Sequence, residues 1–259
     1  MSEDERYTIR SIDRAIDILF CFTKDGSEFS ITELAKLLKL HKSTVHRLVI
    51  TMASRGLLER NPQNGKYRLG LKILELGSLV ADRMDLRQRA REFLEELSAR
   101  YRETVHLVVR DQNEAIYIDK VEPPDAVVRY SRVGKRLPLY CTAVGKVLLA
   151  GLPPERVVEI VDTLDLNPLT ERTITSRERL VEEVELVRRQ GYALDNEELE
   201  PGLRCVAAPI WDHRGRVIAA CSISGSASRI NNQRMEKLIK AVKRTALAIS
   251  QHMGYTGRG

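Results

Sequence analysis

The chain has 259 residues, of which 43% are hydrophobic and 30% charged, a balance that favours two folded domains over a disordered polymer. No apolar run approaches the ~18 residues that a membrane helix needs, and the polar, acidic start MSEDERYTIR does not resemble a secretory signal peptide. We therefore expect a cytoplasmic protein with no membrane partner. Its net charge is +6.

The excess positive charge is concentrated in one short window of the chain. Residues 31–70 contain eight basic and two acidic residues, so this window alone carries the net +6 of the whole protein. A basic patch favours a polyanion as partner, because each neutralised phosphate releases condensed counterions.

The first predicted element is an amphipathic helix, because apolar residues recur at helical spacing between polar ones. They are Ile9, Ile12, Ala15, Ile16, Leu19 and Phe22. After a break near Gly26, Ser30 and Glu33 have the spacing of a capping box and predict the start of a second, short helix.

A third helix is predicted over residues 42–55, after a tight connection at residues 40–42. Its apolar stripe, which includes Val45, Val49 and Met52, is expected to face the first two helices. The opposite face is polar near the N-terminus, where a recognition helix reads base edges in the major groove. The residues predicted to contact DNA from this helix and the preceding one are Thr32, Lys42, Ser43, Thr44, His46, Arg47 and Thr51.

Residues 56–69 are predicted to form a hairpin, because the Asn64-Gly65 pair lies between two short runs of alternating apolar and polar residues. A basic hairpin that directly follows a recognition helix is typical of the wing of a winged helix-turn-helix. We expect Lys66, Tyr67 and Arg68 to contact the DNA backbone or the minor groove. The alternative is a protein–protein module whose polar face is merely solvated.

Two more helices, over residues 71–85 and 86–102, are predicted to connect to and open a second domain. From Glu103 onward the apolar pattern changes to period two. Strands are predicted at residues 104–110, 115–120, 127–133, 203–210 and 217–224, and helices at 142–150, 154–163, 176–190 and 231–254. The fold class is therefore α+β, with a mainly antiparallel sheet flanked by helices.

The second domain contains no familiar catalytic motif, neither a nucleophile elbow, a phosphate loop nor a zinc-protease helix. The four cysteines, Cys21, Cys141, Cys205 and Cys221, form no Cys-x-x-Cys pair, so we expect neither a metal nor another cofactor. Two rival functions stay open. One is a hydrolase or isomerase with an accessory DNA-binding module, and the other is a redox sensor that uses Cys141 or Cys205.

Several motifs resemble those of the IclR family of bacterial transcriptional regulators, and the resemblance covers nearly the whole chain. They are TELA (32–35), KSTVHRL (42–48), RVG (132–134), LPLYCTAVGK (137–146), GYALDNEELEPGLRCVAAPI (191–210) and SISG (222–225). One departure is Trp211, where the family usually has Phe, Tyr or His.

The resemblance implies a winged helix-turn-helix at residues 1–70, a connector helix at 71–85 and a GAF-like effector-binding domain at 86–259. It also implies a transcriptional regulator, more often a repressor, that forms homodimers and commonly dimers of dimers. Two-fold pairing would require a palindromic operator. The expected effector is a small organic acid or aromatic compound.

Matching the family's effector pocket residue by residue points to Arg129, Leu137, Ala143, Val144, Asp195, Cys205, Ser222 and Ser224, and the neighbouring Cys141, Thr142 and Gly145 complete the predicted site. Helix N-terminal amides at residues 142–145 would suit a carboxylate. Four alternatives stay open. Arg129 is an exposed strand charge, Cys205 is plain core packing, Asp195 caps a turn, or a structural metal is held by Asp195, Cys205 or His213.

Overall fold

The computed structural model describes residues 9–22, 28–82, 85–124 and 131–257. By its internal contacts the chain divides into two compact units, residues 1–83 and 84–259. Over the described ranges, no helix is both long enough and apolar enough to cross a membrane.

The first unit is a helical cluster followed by a small hairpin. In chain order its described elements are α1 (Arg10–Cys21), α2 (Ile31–Leu38), α3 (Lys42–Ser54), β1 (Leu58–Arg60), β2 (Tyr67–Leu69) and α4 (Leu71–Asp82). The strands β1 and β2 pair antiparallel, with Leu58 opposite Leu69. This is the predicted arrangement of three helices and a hairpin, which the structure confirms.

The local signals of the sequence account for these boundaries. The Ser30 hydroxyl accepts a hydrogen bond from the Glu33 amide at 3.2 Å, and the Glu33 carboxylate accepts one from the Ser30 amide at 2.6 Å, so the capping box is complete. Lys39 ends α2 in the left-handed conformation, with φ 52°, and thereby sets the tight turn into α3. The predicted stripe of α3 lies inward, because Val45, Val49 and Met52 are all buried.

The apolar residues of α1 divide between the core and the surface. Ile18 and Phe22 are buried with the α3 stripe, whereas Ile9, Ile12, Ile16 and Phe20 are exposed. Helix α4 also presents exposed leucines, of which Leu71 is 77% and Leu74 69% exposed. The first unit therefore exposes large apolar side chains that are not part of its own core.

The second unit is a six-stranded sheet with helices on both faces. Its described elements are α5 (Asp85–Tyr101), β3 (Thr104–Asp111), β4 (Glu114–Val121), β5 (Arg136–Pro138), α6 (Ala143–Ala150), α7 (Pro154–Thr163), α8 (Arg177–Gln190), β6 (Ala193–Asn196), β7 (Leu203–Trp211), β8 (Val217–Ser226) and α9 (Asn232–His252). The strand order is β5-β4-β3-β8-β7-β6, and every neighbouring pair is antiparallel. The predicted α+β class with an antiparallel sheet is confirmed.

Each face of the sheet has its own hydrophobic core. Alternate residues of the strands, such as Val105, Val206 and Ile223, pack with α5 and α9. The intervening residues, such as Ala193 and Ala207, pack with α6, α7 and α8. Because side chains alternate along a strand, this division decides which polar strand residues face the second group of helices.

The predicted strand at residues 127–133 is wrong where it can be compared with the structure. Residues 131–133 belong to no strand, and residues 125–130 lie outside the described ranges. The edge of the sheet is formed instead by β5, which pairs with β4 through Leu137 opposite Ala115. The other edge strand, β6, was not predicted either. Both edge strands have only three or four residues, too few to establish a period of two.

Candidate DNA-binding face and effector site

The exposed face of α3 carries most of the residues predicted to contact DNA. Lys42, Ser43, His46 and Arg47 are exposed, and Thr44 is partly buried beside them. At the ~100° per residue of a helix, Ser43 and Arg47 lie opposite the buried stripe, and Thr44 and His46 lie on their flanks. Lys42 is the first residue of α3 and is exposed at its N-terminus. The N-terminal half of α3 therefore presents exposed hydrogen-bonding groups and cations.

Two threonines extend this face. Thr32 is exposed in the first turn of α2, and Thr51 is exposed one turn beyond Arg47 on α3. The Thr51 hydroxyl donates a hydrogen bond to the backbone carbonyl of Arg47 at 2.8 Å, and the Arg47 side chain takes no part in this bond. Within the described ranges, no acidic side chain forms an ion pair with Lys42 or Arg47. Both charges are therefore available to an external anion.

The basic residues of the wing, in contrast, are neutralised by acids of the same unit. Lys66 Nζ lies 3.0 Å from Glu33 Oε1. Arg68 pairs with Glu59 through its Nε and lies 3.8 Å from Glu28. The Ser30 amide, followed by Lys66, lowers the pKa of Glu33 to about 2, so this carboxylate stays charged at every physiological pH.

Tyr67 does not join the exposed set, which corrects one predicted contact. Its side chain is buried in the core of the first unit, and its backbone pairs with Phe29. Side chains alternate along β2, so Arg68 points to the surface while Tyr67 points inward.

In the second unit, polar side chains form two rows across the sheet face that packs against α6, α7 and α8. Asp195, Cys205, Ser224 and Thr104 lie opposite one another on four successive strands, β6, β7, β8 and β3. The next row on the same face contains Ser222 and His106, with Ala207 beside them. Apart from Cys205, which is partly buried, the polar members of both rows are buried. The structure thus brings together the four sheet residues that the sequence predicted for this site.

The N-terminus of α6 provides the second part of the predicted site. The Thr142 hydroxyl accepts from the Gly145 amide at 3.1 Å, and the Thr142 carbonyl accepts from the Lys146 amide at 3.0 Å. The amides of Ala143 and Val144 are the first two of the helix, and the α-helical pattern gives them no partner of its own. Amides at the N-terminus of a helix can bind a carboxylate.

Gly145 is required by close packing. A Cβ at this position would lie 2.6 Å from the Thr142 hydroxyl and in contact with the Leu139 backbone. The helix therefore begins directly against the segment that contains Leu137 and Cys141, both buried.

Asp195 caps a turn and also stands at the end of the polar row. Its Oδ1 accepts hydrogen bonds from the amides of Glu198 at 2.8 Å and Leu199 at 3.4 Å. Burial, opposed by the Glu198 amide, raises the pKa of Asp195 to about 7. This carboxyl group changes its charge in the physiological range.

A buried ion pair next to Asp195 was not predicted. Lys146 is 1% exposed, and its Nζ lies 2.6 Å from Glu198 and 3.4 Å from Glu183. The signal in the sequence was a lone lysine within the apolar run of α6, which indicates a buried charge in need of a partner. His106 was missed as well, although its two-residue spacing from Thr104 in a predicted strand places both on one face.

Cys141 and Cys205 lack the lowered thiol pKa that is typical of a redox-sensing cysteine. Burial, followed by the negative charge of Asp195, raises the pKa of Cys141 to about 12, and the same two causes raise the pKa of Cys205. A protonated thiol is a poor nucleophile.

In the described part of the chain, no three His, Cys, Asp or Glu side chains are grouped to hold a metal ion. The predicted contact of Arg129 lies outside the described residues.

Two family models match the chain, one for each unit. The model described as the IclR helix-turn-helix domain matches residues 11–62. The model described as the bacterial transcriptional regulator IclR C-terminal matches residues 78–251.

Individual relatives cover nearly the same length. The chain is 42% identical over 247 residues to the HTH-type transcriptional regulator XynR of Escherichia coli strain K12, and the aligned residues cover 95% of this chain and 98% of that protein. It is 41% identical over 228 residues to the HTH-type transcriptional regulator KdgR of the same organism, over 88% of this chain and 87% of that protein. Among solved structures, an IclR homologue from Microbacterium hydrocarbonoxydans complexed with 4-hydroxybenzoate superposes with a TM-score of 0.82 at 30% identity, over 94% of this chain and 98% of that one.

Proposed function

The chain belongs to the IclR family of transcriptional regulators, and from this premise we propose that it is a repressor whose operator affinity is set by a small organic acid. The observation that carries the proposal is the exposed polar face of α3, on which Lys42 and Arg47 have no acidic partner in the described part of the chain. We place the protein in the cytoplasm, where its DNA target lies.

In this proposal, α3 enters the major groove of DNA and the wing contacts the backbone. Arg47 pairs with a guanine through two hydrogen bonds, and the hydroxyls of Ser43 and Thr44 bind phosphate or base edges. Lys42, His46, Thr32 and Thr51 surround them. Lys66 and Arg68 bind phosphates after exchanging their present carboxylate partners for DNA.

The effector site of the proposal lies between the N-terminus of α6 and the polar rows of the sheet. The amides of Ala143 and Val144 hold the carboxylate of the effector. The support comes from the buried position of these groups, and from the homologue crystallised with the aromatic acid 4-hydroxybenzoate. The other residues proposed for this site are Arg129, Leu137, Cys141, Thr142, Gly145, Asp195, Cys205, Ser222 and Ser224.

We assign the exposed apolar residues of α1 and α4 to a homodimer interface, with dimers pairing into tetramers. Several large apolar side chains exposed along one helix are typical of a surface that a partner covers. A two-fold dimer would present two α3 helices to a palindromic operator. Helix α4, over residues 71–82, then transmits the effector signal by changing the distance between them.

The proposal is tested by fluorescence anisotropy on DNA from the intergenic region upstream of the protein's own gene, with scrambled DNA as control. We expect salt-sensitive, sequence-selective binding that one compound from a panel of small carboxylic and aromatic acids changes by about 5- to 150-fold. Equal binding to the scrambled DNA at every salt concentration would contradict the assignment of this operator.

Two substitutions separate base reading from backbone binding. Arg47→Ala should cost about 1–3 kcal/mol of operator binding and relax specificity at one base pair. Lys66→Ala should weaken binding to operator and scrambled DNA alike, because a phosphate contact carries no sequence information. Equal losses of specificity from both variants in the anisotropy assay would refute this division of roles.

We also propose that the second unit binds its ligand without converting it. Incubation of the protein with the same panel, followed by mass spectrometry, should show every compound unchanged. Turnover of the compound that alters operator affinity would revive the hydrolase or isomerase alternative.

A further inference from the structure

His106 lies in the middle of the polar rows, although none of the predictions assigned it to the effector site. Its side chain is 1% exposed, and its Nδ1 lies 3.5 Å from the hydroxyl oxygens of both Ser222 and Ser224. Its ring packs on that of Tyr117, with 4.5 Å between the centroids. The other ring nitrogen, Nε2, is buried without a hydrogen-bond partner among the described residues.

The surroundings of the ring determine which nitrogen carries the proton. Burial, followed by the positive charge of Lys120, lowers the pKa of His106 to about 3, so the imidazole is neutral at pH 7. The hydroxyl of Ser222 or Ser224 can donate to Nδ1, and this bond leaves the proton on Nε2. The unpartnered nitrogen is then a hydrogen-bond donor that needs an acceptor.

A second buried polar group on the same strand face also lacks a partner. Thr104 is two residues from His106 on β3, lies opposite Ser224, and is 1% exposed. Its hydroxyl oxygen has no hydrogen-bond partner within the described ranges. Buried polar groups are nearly always hydrogen-bonded, so two orphans side by side indicate a place where a polar molecule completes the structure.

We propose that His106 is a specificity-determining residue of the effector site, where its Nε2–H donates a hydrogen bond to a hydroxyl or keto oxygen that the effector carries in addition to its carboxylate. This inference rests on the proposed function of the second unit. A neutral donor suits an uncharged oxygen, whereas the carboxylate is better served by the amides at the N-terminus of α6. The Thr104 hydroxyl offers a second bond to the same polar end of the ligand.

The test compares acids that differ in that one oxygen, by isothermal titration calorimetry on the full chain. The pairs are 4-hydroxybenzoate with benzoate, and pyruvate with propionate. We expect the wild type to bind the oxygenated member of at least one pair about tenfold more tightly, the value of one satisfied buried hydrogen bond. His106→Phe keeps an aromatic ring against Tyr117 but removes the donor, so this preference should disappear while the affinity for the other member stays within about twofold.

His106→Gln is the matched variant, because its side-chain amide keeps an N–H at a similar reach, and it should retain part of the preference. If His106→Phe does not fold, as judged by circular dichroism and operator binding, His106→Gln and a spectroscopic measurement decide. In protein labelled with 15N-histidine, the preferred acid should shift the Nε2 resonance of His106 and leave that of His213 unchanged.

The outcomes separate this inference from the proposed function. Three results would overturn the role of His106 and leave the effector proposal intact. The wild type binds acids without preference for the extra oxygen, the His106→Phe variant keeps the preference, or the His106 resonance does not move. If none of the four acids binds the wild type, the carboxylic acid is overturned as the class of effector, both in this inference and in the proposed function. Operator binding, measured separately, decides the DNA-binding proposal in every case.

Discussion

The carboxyl group of Asp195 makes the stability of the second unit depend on pH. Burial raises its pKa to about 7 in the folded protein, against about 3.9 in an unfolded chain. Between these values the folded state binds more protons than the unfolded state, so the free energy of unfolding falls as pH rises from about 4 to 7 and then levels off. Asp195→Asn keeps the oxygen that caps the turn but does not titrate. From pH 4 to pH 8, the free energy of unfolding of Asp195→Asn should increase relative to that of the wild type by on the order of 2–4 kcal/mol.

Urea denaturation of both proteins at pH 4 and pH 8 measures this difference. Asp165→Asn, at an exposed position, is the control and should show the same pH dependence as the wild type. Parallel pH profiles for Asp195→Asn and the wild type would mean that the buried carboxyl does not titrate as stated.

Sequence patterns predicted the position of single residues where a local rule applies. Ser222 and Ser224 are examples, because they are two residues apart in the strand predicted at residues 217–224 and lie on one face of β8. The pairing of Lys146 with Glu198 could not be predicted, because 52 residues separate them and only the fold brings them together. Tyr67 was misassigned because a basic hairpin indicates a wing but does not tell which face of a three-residue strand meets the core.

At the scale of elements, the wing cations Lys66 and Arg68 are paired with acids of their own unit, and in the proposed function these acids compete with DNA for them. Glu59 pairs with Arg68 and is itself only partly buried. Glu59→Gln removes this competitor, so DNA of any sequence should bind about two- to fivefold more tightly at low salt. The slope of log K against log salt concentration should become steeper by up to about one.

The matched control is Glu159→Gln on α7, which removes the same charge from an exposed ion pair with Arg156 in the other unit. Anisotropy titrations on scrambled DNA at several salt concentrations distinguish the two variants. If both variants strengthen binding equally, net charge alone is responsible and the ion pair of the wing has no special part.

Elements with long periodic patterns were predicted within a few residues, and α7 was predicted with its observed bounds, Pro154–Thr163. The short strands β5 and β6 were missed because their pairing with β4 and β7 creates them. Their own sequences hold too few residues to show a strand period.

At the scale of the whole molecule, the exposed leucines of α4 lead to a prediction about assembly. Leu74 is 69% exposed, so Leu74→Glu should leave the fold of the single chain intact. If α4 lies in the dimer interface, the buried charge should shift the protein toward monomers and weaken operator binding at least about tenfold. Sedimentation velocity measures the first effect and anisotropy the second.

Leu169→Glu provides the control, because Leu169 is a 46% exposed leucine of the second unit outside any helix or strand. It should sediment as the wild type does. An unchanged sedimentation coefficient for Leu74→Glu would move the dimer interface away from α4.

The alternation of side chains across the sheet has a consequence for how such a protein can evolve. Positions 104, 106, 205, 222 and 224 face α6, α7 and α8, while their immediate neighbours, among them Val105 and Ile223, form the core on the other side. In the proposed effector site, substitutions at the first set would therefore alter ligand preference without disturbing the hydrophobic packing that holds α5 and α9. An insertion or deletion of one residue within β8 would exchange the two faces, burying serines in the apolar core. Under that proposal, new ligand preferences are accessible by point substitution, whereas the length of these strands is constrained.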